Sequence, residues 1–246
     1  MKVLCDRDRL KEALSVVATA LPTRTTKPIL EAVLLEASGN TLSLTSTDLE
    51  VAIRYTLTGV QVEQKGSCLI PAREATDFVR DLGDETVTLE VGKSAVRILG
   101  KDDACELALA DVGEFPGLPE IKGATKISIQ ADRFGEILER TAFSAAKELG
   151  RFAMNGVRAE IEKDQIRLIA TDGRRLSLAS HALETPVKEK MAVTIPSKAI
   201  QQSARVLAGN VEPVTLEVSE DRVALHAKDA TIITRVLEGS SRATRP

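Results

Sequence analysis

Few side chains in this 246-residue sequence have the type and spacing that chemistry needs. Asp48 and Asp172 sit in matching tripeptides, Thr47-Asp48-Leu49 and Thr171-Asp172-Gly173. Two carboxylates brought together can divide acid and base roles. These tripeptides, however, belong to a repeat. They lie 124 residues apart (47 to 171), as do Asp8-Arg9-Leu10 and Asp132-Arg133-Phe134 (8 to 132). Equivalent positions in two copies of one domain lie far apart, so each Asp is expected to bind local backbone at a strand end, as Asp does in turns. Gly92-Lys93-Ser94 has the ending of a phosphate-binding loop, but the glycine required upstream falls at Val87, and the tripeptide sits in a predicted hairpin. His181 and His226 stand in no zinc-ligand spacing, and no G-x-S-x-G elbow is present. Cys5, Cys68 and Cys105 form no C-x-x-C pair and read as reduced, buried thiols of a cytosolic protein. No metal or cofactor is implied, and catalysis is not expected. What remains is a binding surface carried on a duplicated domain.

The elements that position this surface repeat as well. Ile70-Pro71-Ala72 returns as Ile195-Pro196-Ser197, and Val87-Thr88-Leu89-Glu90-Val91 as Val214-Thr215-Leu216-Glu217-Val218. A repeat this long is a domain rather than a solenoid unit. Each copy reads as helix, strands, helix, strands, an α+β arrangement of two helices on antiparallel sheets. Residues 7–20 carry Leu10, Ala13, Leu14 and Val17 at helical spacing, with Arg7, Lys11 and Ser15 on another face. Strands are predicted over 29–36 and 41–45 around a turn at Ser38-Gly39-Asn40. Pro71 is expected at the first position of a second helix that Gly83 closes, with Ala75, Phe78, Val79 and Leu82 inward and Arg73, Asp77 and Arg80 outward. Strands 86–91 and 94–99 follow. In the second copy, helix 132–146 turns Phe134, Ile137, Leu138 and Thr141 inward and Arg133, Glu136, Arg140 and Lys147 outward. Strands come next, near 154–162 and 165–171. The last helix opens at Pro196 and stops at Gly209, with Ile200, Ala204 and Leu207 inward and Lys198, Gln202 and Arg205 outward. Val112 to Pro119, rich in Pro and Gly, reads as the linker, giving domains at 1–118 and 124–240. The cores must be aliphatic, because the chain has no Trp, one Tyr and five Phe. No apolar signal region or membrane-length stretch is present, and a cytoplasmic protein is expected.

Every predicted helix carries Lys or Arg on its polar stripe. A solvated outer face accounts for that. So does a basic surface for phosphates, since Lys and Arg bind duplex DNA without reading sequence by displacing condensed counterions. The formal charge of −3 argues weakly against a generally sticky binder and says nothing of where charges sit.

Pro28-Ile29-Leu30, Leu42-Ser43-Leu44-Thr45-Ser46-Thr47-Asp48-Leu49-Glu50, Phe152-Ala153-Met154-Asn155-Gly156-Val157 and Ala170-Thr171-Asp172-Gly173-Arg174-Arg175-Leu176 decide more. In this order they closely resemble the bacterial DNA sliding clamp family, the beta subunit of DNA polymerase III. The match runs from residue 1 to about 240. The resemblance implies the clamp fold, with three similar domains per chain and two chains closing head to tail into a homodimeric ring. Helices line the hole around duplex DNA. The ring slides because phosphate contacts carry no sequence information, and it tethers the replicative polymerase as a non-catalytic accessory subunit. The resemblance further implies DNA contacts at Arg24, Arg73, Arg80, Arg151, Phe152 and Lys198. Ala153 and Glu148 depart from the family pattern beside Arg151 and Phe152, where a second aromatic and a neutral polar residue can occur, and Phe152 reads equally as a core residue. A partner pocket, which receives short peptide motifs of polymerases, the clamp loader and repair proteins, is implied at Met154, Thr171, Gly173, Arg174, Arg175 and Leu176. Gly173 would permit close backbone approach, Met154 and Leu176 an apolar floor, and the arginines a polar rim. The alternative for Thr171-Asp172-Gly173 is a turn and nothing more.

The end of the chain departs from the family. The first copy runs into Gly113-Glu114-Phe115-Pro116, whereas Gly239-Ser240 is followed by Ser241-Arg242-Ala243-Thr244-Arg245-Pro246. Deleting one T from GGC TCG TTC CCG CGC TAC GCG ACC, which encodes Gly-Ser-Phe-Pro-Arg-Tyr-Ala-Thr, yields residues 239–246 as they stand. The expectation is therefore a frameshift that removes a third domain and leaves 241–246 as an aberrant, disordered tail. A chain so shortened would lack the ring interface and half of the pocket. The alternative to a clamp subunit is then a monomeric fragment that binds clamp partners weakly without encircling DNA.

Overall fold

The computed structural model describes residues 1–146 and 155–237. The chain divides into two units, Met1–Leu118 and Pro119–Pro246. Lys147, Glu148, Arg151, Phe152, Ala153, Met154 and the tail 241–246, for which the sequence carries expectations, lie outside the described residues.

The first unit contains β1 (Lys2–Asp6), α1 (Arg7–Ala18), β2 (Ala32–Ser38), β3 (Thr41–Thr47), β4 (Val51–Thr58), β5 (Gln61–Gln64), β6 (Gly66–Pro71), α2 (Ala72–Asp81), β7 (Thr86–Val91), β8 (Ala95–Leu99) and β9 (Ala104–Ala108). Every strand pairing within it is antiparallel, in the orders β5-β1-β7-β8-β9 and β4-β3-β2-β6. Asp6 caps α1 by accepting the Arg9 amide at 2.8 Å, satisfying one of the amides a helix start leaves free. Leu10, Ala13, Leu14 and Val17 from α1 and Ala75 and Val79 from α2 are buried with Leu42, Leu44 and Ile53 of the sheet.

The second unit repeats the plan with β10 (Thr125–Gln130), α3 (Ala131–Ala142), β11 (Gly156–Glu162), β12 (Gln165–Thr171), β13 (Leu176–Ala182), β14 (Met191–Pro196), α4 (Ser197–Leu207), β15 (Pro213–Val218), β16 (Arg222–His226) and β17 (Ala230–Arg235). Its antiparallel strand orders are β10-β15-β16-β17 and β13-β12-β11-β14. β5 has no counterpart among the described residues. Phe134, Ile137 and Leu138 of α3 and Ala199, Ile200 and Leu207 of α4 are buried. Gly156, at the head of β11, is required by space: a Cβ there would lie 2.5 Å from the Ile195 carbonyl oxygen.

Several expectations need correcting. Pro28–Glu31 forms a 3-10 turn, so β2 begins only at Ala32. Proline at its start lacks the amide a sheet ladder would use. Pro71 and Pro196 are N-cap residues rather than first helical residues, because each still closes its strand, paired with Ala32 and Gly156 respectively. α3 ends at Ala142, short of residue 146. Gln202 is buried, not outward. The linker's first half is folded: Val112–Glu114 is a 3-10 turn, and Phe115 joins Ala32 and Leu69 in a buried cluster flanked by Ile29, Leu34 and Val112. Cys5 and Cys68 are buried, and burial pushes both thiols up to about 12, which keeps them protonated and unreactive. Cys105 is only half-buried. Among the described residues no helix is long and apolar enough to cross a membrane.

Candidate functional site

The two Thr-Asp turns have nearly identical wiring. Between β3 and β4, Thr47 Oγ1 accepts the Leu49 amide at 2.9 Å and donates to the Val51 carbonyl at 2.9 Å. Asp48 Oδ1 accepts the amides of Glu50 at 3.0 Å and Val51 at 2.8 Å. Between β12 and β13, Thr171 Oγ1 accepts the Gly173 amide at 3.1 Å and donates to the Arg175 carbonyl at 2.7 Å. Asp172 Oδ1 accepts the amides of Arg174 and Arg175, each at 3.0 Å. Those amides, followed by the Arg175 side chain, hold the Asp172 carboxyl below the usual carboxylate range. Both carboxylates are thus occupied with backbone. The third residue is left-handed in both turns, φ 78° at Leu49 and φ 87° at Gly173. A Cβ at Gly173 would meet nothing within 4 Å. Gly173 therefore relieves backbone strain, and no close backbone approach within the chain requires it.

The second turn differs from the first in what it carries. Arg175 Nε reaches Asp172 Oδ2 at 3.0 Å, and its Nη2 donates to the Phe143 carbonyl at 2.6 Å. Its guanidinium lies 5.5 Å from the centroid of the Phe143 ring. Ser144 and Ser177 hydroxyls meet at 2.6 Å, a second tie between the end of α3 and β13. Leu176 is 65% exposed and Leu178 58%, on the face of β13 opposite Ser177, while Phe143 at the end of α3 is 56% exposed and Val211 of the same unit is exposed as well. The first-unit equivalents of Leu176, Leu178 and Phe143 by offset are Ala52, Arg54 and Thr19, so these apolar side chains do not recur there. β13 forms the outer strand of its four-stranded sheet among the described residues. The exposure of Phe143 and Leu178 was not read from the sequence. The signal available for Phe143 was its place off the apolar stripe of Phe134, Ile137, Leu138 and Thr141.

The basic candidates fall into separate environments. Arg24 is exposed in the loop after α1, and Arg73 is exposed in the first turn of α2. Neither has an ion-pair partner among the described residues. Arg73 and Lys27 line an open cleft of about 1160 Å³ whose wall also carries Glu31, Glu74 and Glu114. Arg80 is engaged, through Nη1 to Asp77 at 2.7 Å and Nε to Asp81 at 3.0 Å, and those carboxylates raise its pKa, Asp81 foremost. Arg133 and Arg140 both reach Glu136, at 3.5 and 2.5 Å. Lys198 is half-buried in the first turn of α4. Arg205, further along that helix, is exposed.

Comparison with known proteins accounts for nearly the whole chain. Residues 1–119 match the family model of the DNA polymerase III beta subunit N-terminal domain, and residues 128–241 match that of its central domain. The chain belongs to the beta sliding clamp family. The beta sliding clamp of Bacillus subtilis is 30% identical over 248 residues, covering 98% of this chain and 66% of the relative. That of Synechococcus elongatus is 32% identical over 246 residues, covering 97% and 65%. Among solved structures, the Bacillus subtilis DNA polymerase sliding clamp superposes with a TM-score of 0.93 at 29% identity, over 99% of this chain and 66% of that one. A Pseudomonas aeruginosa sliding clamp bound to griselimycin gives 0.94 at 26% identity with the same coverage. The chain thus spans about two thirds of the length of the curated clamps it matches. The clamp fold, with two helices on antiparallel sheets in each of two repeated domains, is the fold described above.

Proposed function

We propose that this chain supplies the first two domains of a replication processivity clamp. In that reading it encircles duplex DNA as part of a ring, touching the DNA through Arg24, Arg73, Arg80, Arg151, Phe152 and Lys198. It tethers the replicative polymerase, and admits the clamp loader and repair proteins, through a peptide-docking surface at Met154, Thr171, Gly173, Arg174, Arg175 and Leu176. Its role is non-catalytic. The observation that carries the reading is the match of both beta-subunit domain models, in order, across the chain. Support also comes from the wiring of the Thr-Asp turns, which uses both carboxylates for backbone and leaves neither for acid-base work. The exposed Leu176 beside two arginines has the chemistry of an apolar anchor site with a polar rim.

Retention on DNA tests it. The 246-residue chain is loaded on nicked circular plasmid and washed in high salt, then the plasmid is linearised. A topological link resists salt and is lost on linearisation, because phosphate contacts alone are screened. Release in salt from circle and line alike rejects encirclement by this chain. If such a chain still binds partner peptides, it acts as a clamp fragment that engages partners without enclosing DNA.

A further inference from the structure

Strand β13 leaves one edge of its sheet open. Among the described residues it pairs along its whole length with β12 and with no other strand. An open edge offers a row of N–H and C=O groups to any strand that fits it, and charge or proline normally blunts such edges. The outer strands β5, β6, β9, β10 and β14 carry Glu63, Pro71, Glu106, Lys126 and Pro196 respectively. β13 reads Leu-Ser-Leu-Ala-Ser-His-Ala, without Lys, Arg, Asp, Glu or Pro. Leu183, the residue after it, donates its amide to the Asp164 carbonyl at 2.6 Å, which continues the β12–β13 register by one bonded pair. Bonded and non-bonded pairs alternate in an antiparallel ladder. Ser177, Ala179 and His181 therefore turn their backbone groups toward β12, and Leu176, Leu178, Ser180 and Ala182 turn theirs to the open edge. The side chains of the same four residues are exposed, whereas Ala179 is buried and Ser177 Oγ meets Ser144 Oγ at 2.6 Å.

Antiparallel pairing of β13 with a second β13 about Ala179 uses every one of these outward groups. Leu176 then faces Ala182, Leu178 faces Ser180, and the two Leu178 side chains become diagonal neighbours across the twofold axis. The same register sets Arg174 of one copy toward Glu184 of the other, at both ends of the pair. Arg174 is exposed, and its side chain has no ion-pair partner among the described residues. Glu184 is exposed too, and its Oε1 meets Gln130 Nε2 at 3.5 Å.

We infer that β13 is a self-complementary edge through which two copies of this chain join, making one continuous sheet from the four-stranded sheet of each. The occupant is a second copy because the register that satisfies the outward backbone groups also opposes Arg174 to Glu184 and sets no like charges together. The contact is isologous, the same strand on both copies, and so differs from the head-to-tail contact of a ring. It goes beyond the docking reading and does not depend on it.

Sedimentation velocity of the full 246-residue chain at rising concentration tests the inference. The parent is expected to pass from monomer to dimer and no further, since a twofold contact closes on itself. Ser180→Pro removes an outward amide that the β12 ladder does not use, so it spares the monomer and abolishes the dimer over the same range. Arg174→Glu sets like charges together at both ends and weakens the dimer about tenfold, as does Glu184→Arg. The double variant Arg174→Glu/Glu184→Arg restores it, a rescue that a role in folding alone would not give. Circular dichroism checks that each variant is folded, and the charge series decides alone should Ser180→Pro not fold. A parent that stays monomeric at every concentration, or that grows into larger species, overturns the inference. So does a dimer unmoved by a folded Ser180→Pro, or single charge reversals that the double reversal does not rescue.

Discussion

A guanidinium strengthens phosphate binding to the extent that its charge is not already met within the protein. Arg80 lies between Asp77 and Asp81, so carrying it to a phosphate exchanges two close carboxylates for one anion. Arg24 and Arg73 face no such exchange. On duplex DNA each neutralised phosphate contributes about 0.9 to the slope of log affinity against log salt. Arg24→Ala and Arg73→Ala should each lower that slope by about 0.9, and Arg80→Ala by less than half as much. Fluorescence polarisation of a labelled duplex between about 50 and 200 mM salt measures it. Equal losses for all three would mean that the ion pairs around Arg80 do not survive on DNA. At this scale the sequence was only partly legible. The role of Asp48 and Asp172 followed from their place in a repeat and in a turn. The pairing of Arg80 was within reach, since Asp77 and Asp81 lie three residues before and one after it. The hold of Arg175 on Phe143 was not, because it joins residues 32 apart through a carbonyl and a ring face.

Between elements, charge acts as a cross-strand tie. Glu217 on β15 meets Lys126 Nζ of β10 at 2.7 Å and His226 Nε2 of β16 at 3.4 Å. The Lys126 hydrogen bond is the main cause that holds the Glu217 carboxyl below its ordinary value, with His226 adding to it. A carboxyl depressed in the folded state contributes stability that is present above its unfolded pKa, about 4.3, and lost as pH falls through the lower folded value. Glu217→Gln should therefore cost stability at neutral pH and cost progressively less below about pH 4. Denaturant unfolding across that range reads the difference, and a penalty independent of pH would remove the tie from the account. Helix and strand order were legible because aliphatic periodicity of 3.6 and 2 is set by burial, which is local in sequence. The segment 28–31 and the boundaries at Pro71 and Pro196 were misread. Leu30 is buried in the 3-10 turn as it would be in a strand, and a proline ending a strand looks like one opening a helix. Gln202 was misread because a polar residue in a buried position breaks the pattern on which the reading depends.

At the scale of the molecule, duplication means that the rules which build one unit build the other. The first unit supplies both of its helices, caps α1 with its own Asp6 and closes its core with Val3, Leu35, Val87 and Ile98 from its own strands. Even the segment leading out of it, through Phe115, packs on Ala32 and Leu69. At 118 residues it has the size of an ordinary domain, large enough to bury most of its apolar surface. Residues 1–118 expressed alone should thus give one cooperative thermal transition with the secondary structure of the first unit. Phe115→Ala in that fragment should lower stability by about 3 kcal/mol or more, the usual cost of emptying a buried aromatic site. A fragment ending at residue 111 should be weakened as well, since it lacks both Val112 and Phe115. Calorimetry with circular dichroism decides the matter. If 1–118 shows no cooperative transition while the whole chain does, then folding of the first copy depends on the second, and the repeat is a unit of sequence but not of stability.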